Sequence, residues 1–216
     1  MSRRVKDYFE QVSSQWDTLR NSFYTDEVRE AILNAVKVGP LDTVLDAGAG
    51  TGYLTEAAAK RARSVIALDF SKSMTDQARG KITRPNVEFK LGNVERIPLH
   101  DSSVDVVIGS MILHHCPRPH VAIRDMVRVM KPGGRIALSD MQQHSFEWLR
   151  ADHADLWLGF DMEEVSQMLV EAGLDSIRVE TLDSFCSSSK DGKAVQVPLF
   201  LASATKKYSA ATVYDS

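Results

Sequence analysis

The segment Val44-Leu45-Asp46-Ala47-Gly48-Ala49-Gly50-Thr51-Gly52 sets an acid directly before three glycines at alternate positions. The apolar residues ahead of Asp46 read as a strand, and the alanine-rich run at 53–60 as a helix. Glycines at such a junction let the backbone turn sharply, and let a ligand lie against main chain where a Cβ would collide. The spacing G-x-G-x-G is neither the dinucleotide fingerprint nor the phosphate loop, and no lysine follows. An acid before the glycines suits a cationic, phosphate-free ligand; a tight strand–helix turn without a ligand is the alternative. Roughly 20 residues on, a second apolar run, Arg63-Ser64-Val65-Ile66-Ala67-Leu68-Asp69, also ends in an acid. Nucleoside-binding α/β folds place there the carboxylate that accepts from both ribose hydroxyls.

Two further stretches are dense in reactive side chains. Ser110-Met111-Ile112-Leu113-His114-His115-Cys116 follows an apolar strand, where open α/β sheets hold their ligands. Histidine is the natural base near neutral pH, so His114, His115 and His153 are the candidate catalytic groups. The histidine pair could instead cap the following helix. Cys116 is either a soft ligand or a small buried hydrophobe. The run from His144 to His153 puts His144, Glu147 and Arg150 on one face of an expected helix at 144–155. His144 and Glu147 are candidate substrate contacts, and with His153 they could form a metal site. A solvated helical face is the plainer alternative, and no resident metal is expected.

These groups need a scaffold, and the pattern supplies one. Val5, Tyr8, Phe9, Val12 and Trp16 recur at helical spacing. A break at Asn21-Ser22 precedes a second helix at 25–36, with Thr25 as N-cap. From 44 to 140 strands and helices alternate, which requires a mostly parallel sheet with helices on both faces. The link between the third strand, ending near Leu91, and the fourth, starting at Val104, is short and carries Pro98, so its crossover helix must be vestigial. Pro132-Gly133-Gly134 turns the chain into a fifth strand ending at Asp140. Asp161 N-caps a helix that runs to Ala172 and closes at Gly173. Strands at 176–182 and 195–204 follow, with 187–193 as a polar hairpin turn. Pro198 is awkward in an interior strand and calls for a bulge or greater exposure.

This order of strands and strand-end residues over 44–140 resembles the class I S-adenosylmethionine-dependent methyltransferases. It looks nearest to the ubiquinone/menaquinone-type C-methyltransferases and the small methyltransferases linked to arsenic-type repressors. The run His144-x-x-Glu147-x-x-Arg150, followed by Leu158-Gly159-Phe160, resembles the latter. The resemblance implies a seven-stranded doubly wound α/β fold whose last strand runs antiparallel beside the fifth. It also implies S-adenosyl-L-methionine as cofactor. Asp46 would then lie near the methionine amino group, with Ala47, Gly48 and Gly50 against the cofactor. Asp69 would hold the ribose, and Phe70 and Met74 would pack on the adenine. Asn93, where many relatives carry aspartate, and Val94 would meet the adenine edge, and Ser110 the methionine end. The helical N-terminus would fold over as a lid, with Tyr8 and Trp16 as walls. The acceptor is a small molecule whose reacting atom is left open. Methylation of a soft sulfur or metalloid centre held by Cys116 and Cys186 is one alternative, and a non-catalytic cofactor sensor is another.

Composition bounds the same reading. One methyltransferase domain is expected over 1–206, with the lid at 1–38, the cofactor-binding core at 43–140, substrate-side helices and a hairpin at 141–206, and a disordered tail at 207–216. A formal net charge of −3 without a basic run argues against nucleic acid as the main partner. No apolar stretch reaches the ~20 residues of a membrane span, and no apolar signal segment follows Met1-Ser2-Arg3-Arg4. Two cysteines far apart give no disulfide framework and fit a cytoplasmic enzyme.

Overall fold

The computed structural model describes residues 3–190 and 192–208. Among them, seven strands form one sheet: β1 Thr43–Ala47, β2 Ser64–Asp69, β3 Val87–Leu91, β4 Val104–Ser110, β5 Met130–Met141, β6 Leu174–Lys190 and β7 Lys193–Lys206. Their order is β3-β2-β1-β4-β5-β7-β6. β1 to β5 pair in parallel, and β7 lies antiparallel between β5 and β6. The helices are α1 Arg3–Val12, α2 Trp16–Phe23, α3 Glu27–Ala35, α4 Tyr53–Ala59, α5 Lys72–Lys81, α6 Pro119–Val129, α7 Trp148–Asp152 and α8 Met162–Glu171. Chain order reverses between β1 and β4, so their carboxyl ends border the crevice where such sheets bind ligands.

The period of two along each strand divides the core. Leu45, Leu68, Val107 and Ile136 face one side and pack with Ile123 and Met126 of α6 and Val165 and Leu169 of α8. Val44, Val65, Val106 and Ile108 face the other, against Val28 and Ile32 of α3 and Leu54 and Ala58 of α4. Each such fully buried aliphatic side chain contributes roughly 1.5–3 kcal/mol. The site therefore rests on a rigid base.

A third cluster seats the N-terminal helices on that base. Val5 and Phe9 of α1 are buried with Met74 of α5 and Ala154. Polar clasps flank it. The Glu10 carboxylate accepts from the Ser71 hydroxyl at 3.0 Å, from the Lys72 amide at 2.9 Å and from the Ser73 hydroxyl. It thus sits at the N-terminus of α5, where the helix dipole favours an anion, and these bonds hold its pKa below the usual carboxylate range. Asp17 accepts from the Thr51 hydroxyl at 2.6 Å and pairs with Lys81 of α5.

Several elements differ from the sequence expectation. The N-terminal helix is interrupted by a 3₁₀ turn at Ser13–Gln15, and the break falls after Phe23 rather than at Asn21-Ser22. Thr25 does not cap α3; its hydroxyl donates to Glu27 at 3.3 Å and Asp26 takes the cap position. The helix expected at 144–155 shrinks to α7. Its first residues are drawn into an extended pairing, with the Gln143 amide on the Phe160 carbonyl and the His144 amide on the Leu158 carbonyl. Gly159 permits that pairing, because at φ +71° a Cβ would lie 2.1 Å from the Gln142 carbonyl oxygen. β6 and β7 extend to Lys190↔Lys193, consuming most of the expected polar turn. Pro198 lies one residue beyond the last β5 pair, Met141↔Leu199, and beside a register shift in β6 between Thr181 and Phe185. Pro198 itself pairs with Phe185 and is half-buried, so its missing N–H falls where no β5 pair needs it, and the bulge lies in β6 rather than at Pro198. Of the expected tail, Lys207 and Tyr208 carry no regular structure, and 209–216 lie outside the described residues.

Candidate functional site

Two adjoining chambers open at the carboxyl ends of β1, β2 and β4. The first is floored by the loop after β1, with Gly48, Gly50 and Gly52 at φ +80°, +53° and +95°. The Gly48 and Ala49 amides both donate to the Leu68 carbonyl at 2.9 Å, tying the loop to the end of β2. A Cβ on Gly48 would lie 2.7 Å from the Ile112 side chain, so the loop and the segment after β4 fit only with glycine there.

Both strand-end acids line this chamber and are buried. Asp46 accepts from the Thr55 hydroxyl at 2.5 Å, yet burial still pushes its pKa up to about 7. Asp69 accepts from the Gly50 amide and the Ser71 amide, each at 2.8 Å, and burial pushes it up to about 6. Two carboxyls kept from water are poised to be repaid by a cation or by hydroxyl donors. Phe70 and Met74 form one apolar wall, Ser110 and Ile112 border the β4 side, and Phe9 and Trp16 close the top. Arg20 of α2 also reaches in, its guanidinium 4.1 Å from the Tyr53 ring centre. Its buried NH1 makes no hydrogen bond, although it lies 3.9 Å from the Asp26 carboxylate, so it could still donate to an anionic ligand group.

The second chamber shares Trp16, Tyr24, Met111 and His115 with the first. Met111 is held at φ +55°, a strained conformation for a side-chain-bearing residue. Its far wall carries a relay: the Tyr8 hydroxyl lies 3.3 Å from His153 Nδ1, and His153 Nε2 lies 3.2 Å from the Ser188 hydroxyl. Burial lowers the His153 pKa and raises Tyr8 to about 12. His114 Nδ1 lies 2.6 Å from Asp140, a carboxylate that also accepts from the Leu113, His114 and Met141 amides. His114 Nε2 lies 3.7 Å from Asp155. Burial alone would lower the His114 pKa, but Asp140, with Asp155 behind it, raises it. Asp155 is pushed by burial up to about 6. The neighbouring His115, 3.9 Å away ring to ring, is driven well below the usual range by burial and by His114.

The remaining expected site residues fall elsewhere. Tyr8 lines the second chamber instead of the first. Ala47 is core beneath the loop, and Val94 is buried in the α6 face. Asn93 turns its side-chain oxygen to the Glu95 amide at 2.9 Å, and neither Asn93 nor Val94 lines the chamber. Cys116 is fully buried in the α6 face, while Cys186 packs against the opposite face and lines the second chamber. The two thiols are not brought together, and burial raises both pKa values. His144 stacks on Phe146, Glu147 pairs with Arg150 at 2.9 Å on the surface, and neither lines a chamber. Asp140, Asp155, Arg20 and Ser188 complete the site without having been assigned roles. Only the spacing of Asp140 at the end of the fifth strand hinted at one.

A family model described as "Methyltransferase domain" matches residues 45–138. The chain is 31% identical to malonyl-[acyl-carrier protein] O-methyltransferase of Marinomonas sp. over 86% of this chain and 68% of that protein. It is 33% identical to demethylmenaquinone methyltransferase of Renibacterium salmoninarum over 66% and 60%. In fold it resembles a chain from a Haloferax volcanii complex between the Trm112 methyltransferase activator and a methyltransferase. That match has a TM-score of 0.81 at 20% identity, over 95% of this chain and 98% of that one. The glycine loop, the two buried acids and the Arg20 guanidinium suit a ligand with a diol, an ammonium and a carboxylate. With these relatives, they identify the chain as a member of the class I S-adenosylmethionine-dependent methyltransferases.

Proposed function

We propose that this methyltransferase acts on an acidic oxygen of a small, largely apolar molecule held in the second chamber, with His153 as the proton acceptor. S-adenosylmethionine supplies an electrophilic methyl group on a sulfonium when bound. In this reading Asp69 holds the ribose hydroxyls, Asp46 faces the amino group, Arg20 faces the carboxylate, and Phe70 and Met74 pack on the adenine. Trp16, Tyr24, Met111 and His115 frame the opening through which the two reactants meet.

The observation that carries the reading is the shared opening, because methyl transfer needs two ligands aligned in water-excluding, adjoining spaces. The base assignment rests on charge. His114 lies between two carboxylates that favour its protonated form. Burial lowers the His153 pKa and so favours its neutral form, and the ring keeps hydrogen-bonding contact with two hydroxyls that can orient a proton. The split between Cys116 and Cys186 speaks against a two-thiol site for a metalloid.

Labelled S-adenosylmethionine incubated with phenols, carboxylic acids, thiols, quinols and arsenite tests the proposal. Transfer to an oxygen acceptor is expected, and His153→Gln should lower kcat about 10²-fold or more while leaving cofactor affinity unchanged. The acidic limb of the wild-type pH profile, lying below pH 6.5, should disappear in that variant. Transfer confined to carbon or sulfur acceptors, or full activity in His153→Gln, would sink this reading.

A further inference from the structure

The second chamber contains a set of donors that the transfer reaction alone does not require. His114, His115 and Asp155 are each buried, and one ligand atom from each lies within 4.8 Å of the other two. His114 Nε2 lies 3.7 Å from the Asp155 carboxylate. Ligand atoms around a tetrahedral ion at 2.0–2.1 Å stand roughly 3.4 Å apart, so modest ring rotations would close the set.

Independent features point to an ion. His115 Nδ1 is buried without any hydrogen-bond partner, a lone pair held out of water and aimed at nothing. The arrangement behind the donors is also the one metal-bound histidines need. His114 is oriented through its other nitrogen by Asp140, itself fixed by three backbone amides, and the Ala154 backbone is the hydrogen-bonding neighbour of the His115 ring. Two imidazoles and one carboxylate suit a divalent transition ion of the zinc or iron(II) kind and leave coordination positions open.

We propose that His114, His115 and Asp155 bind one divalent transition-metal ion whose open positions face the acceptor chamber. The inference rests on that chamber being the acceptor site. The ion would hold the acceptor oxygen as its anion, with the released proton passing to His153.

Cobalt(II) titrated into the full chain, without cofactor or acceptor, tests this separately from methyl transfer. One equivalent should develop visible absorption bands, which zinc should bleach by displacement. Asp155→Asn and His115→Ala should each weaken binding at least 10-fold, and Asp140→Asn about 10–100-fold. His144→Ala, outside both chambers, should bind as wild type. Far-UV circular dichroism and a cooperative thermal transition check that each variant is folded. Wild-type protein that binds S-adenosylhomocysteine but gives no cobalt bands would overturn the proposal. So would folded Asp155→Asn and His115→Ala variants that retain wild-type cobalt affinity. Failure here would leave the oxygen-acceptor reading standing, since that is measured by label transfer.

Discussion

At the scale of single residues, the cofactor chamber stores electrostatic tension in Asp46 and Asp69. Burial raises both carboxyls, to about 7 and about 6, so between pH 4 and 7 the folded chain holds protons that the unfolded chain has released. Stability must then fall as pH rises through that window. Their contribution is therefore greatest at the acid end and lost by about pH 7. Ligand-free protein should show a Tm decline over that range that is shallower in Asp46→Asn, readable by differential scanning calorimetry. S-adenosylhomocysteine affinity should rise in the same direction, because an ammonium beside Asp46 needs the carboxylate. Calorimetric titration in buffers of different ionisation enthalpy should detect proton release near pH 6.5 in the wild type and less of it in Asp46→Asn. The two acids and the glycines were legible because backbone and ligand constrain them locally. Arg20, Asp140 and Asp155 were not, because their roles depend on which distant elements the fold brings against them. Sequence position put Asn93 near the crevice and packing turned it away, whereas Cys116 takes the buried-hydrophobe alternative that the sequence allowed.

At the scale of elements, α1 and α2 form a cover fastened at both ends of α5. Glu10 meets its N-terminus and Asp17 reaches Lys81 at its far end as well as Thr51 of the glycine loop. Phe9, Trp16 and Arg20 of this cover line the cofactor chamber, so the clasps should set exchange rates. Hydrogen bonds to charged groups contribute about 1.5–3 kcal/mol when sheltered, and less for the exposed Asp17–Lys81 pair. Glu10→Gln with Asp17→Asn should speed S-adenosylhomocysteine dissociation about 10-fold in stopped-flow measurements and raise amide exchange in residues 3–23. The sheet's own amides should remain protected. Unchanged dissociation would mean that the cover opens by another route. Strand order and helix alternation were legible because periodicity and turn residues are local signals. The shortened α7 was not, since Gln143 and His144 gain backbone partners from residues far along the chain. Nor was the long β6–β7 hairpin, whose serine-rich half looks like a turn until a partner strand lies beside it.

At the scale of the whole molecule, the fold brings an aromatic cover, a glycine loop and a histidine-rich wall to one edge of the sheet. None of the described helices is long and apolar enough to cross a membrane. The methyltransferase family model matches residues 45–138, while the second chamber draws on α1, α2, the segment around α7 and β6 as well as on Met111, His114 and His115 after β4. The second chamber is thus assembled from elements far apart in the chain, so its occupant was not legible in local motifs as the cofactor was. The account stands on the two chambers meeting at Trp16, Tyr24, Met111 and His115. A crystal structure with bound S-adenosylhomocysteine tests that directly. The ribose should lie within hydrogen-bond reach of Asp69, the amino group beside Asp46, and the sulfur at the opening, directed toward the second chamber. A thioether buried away from that opening, or a ribose held by groups other than Asp69, would contradict it.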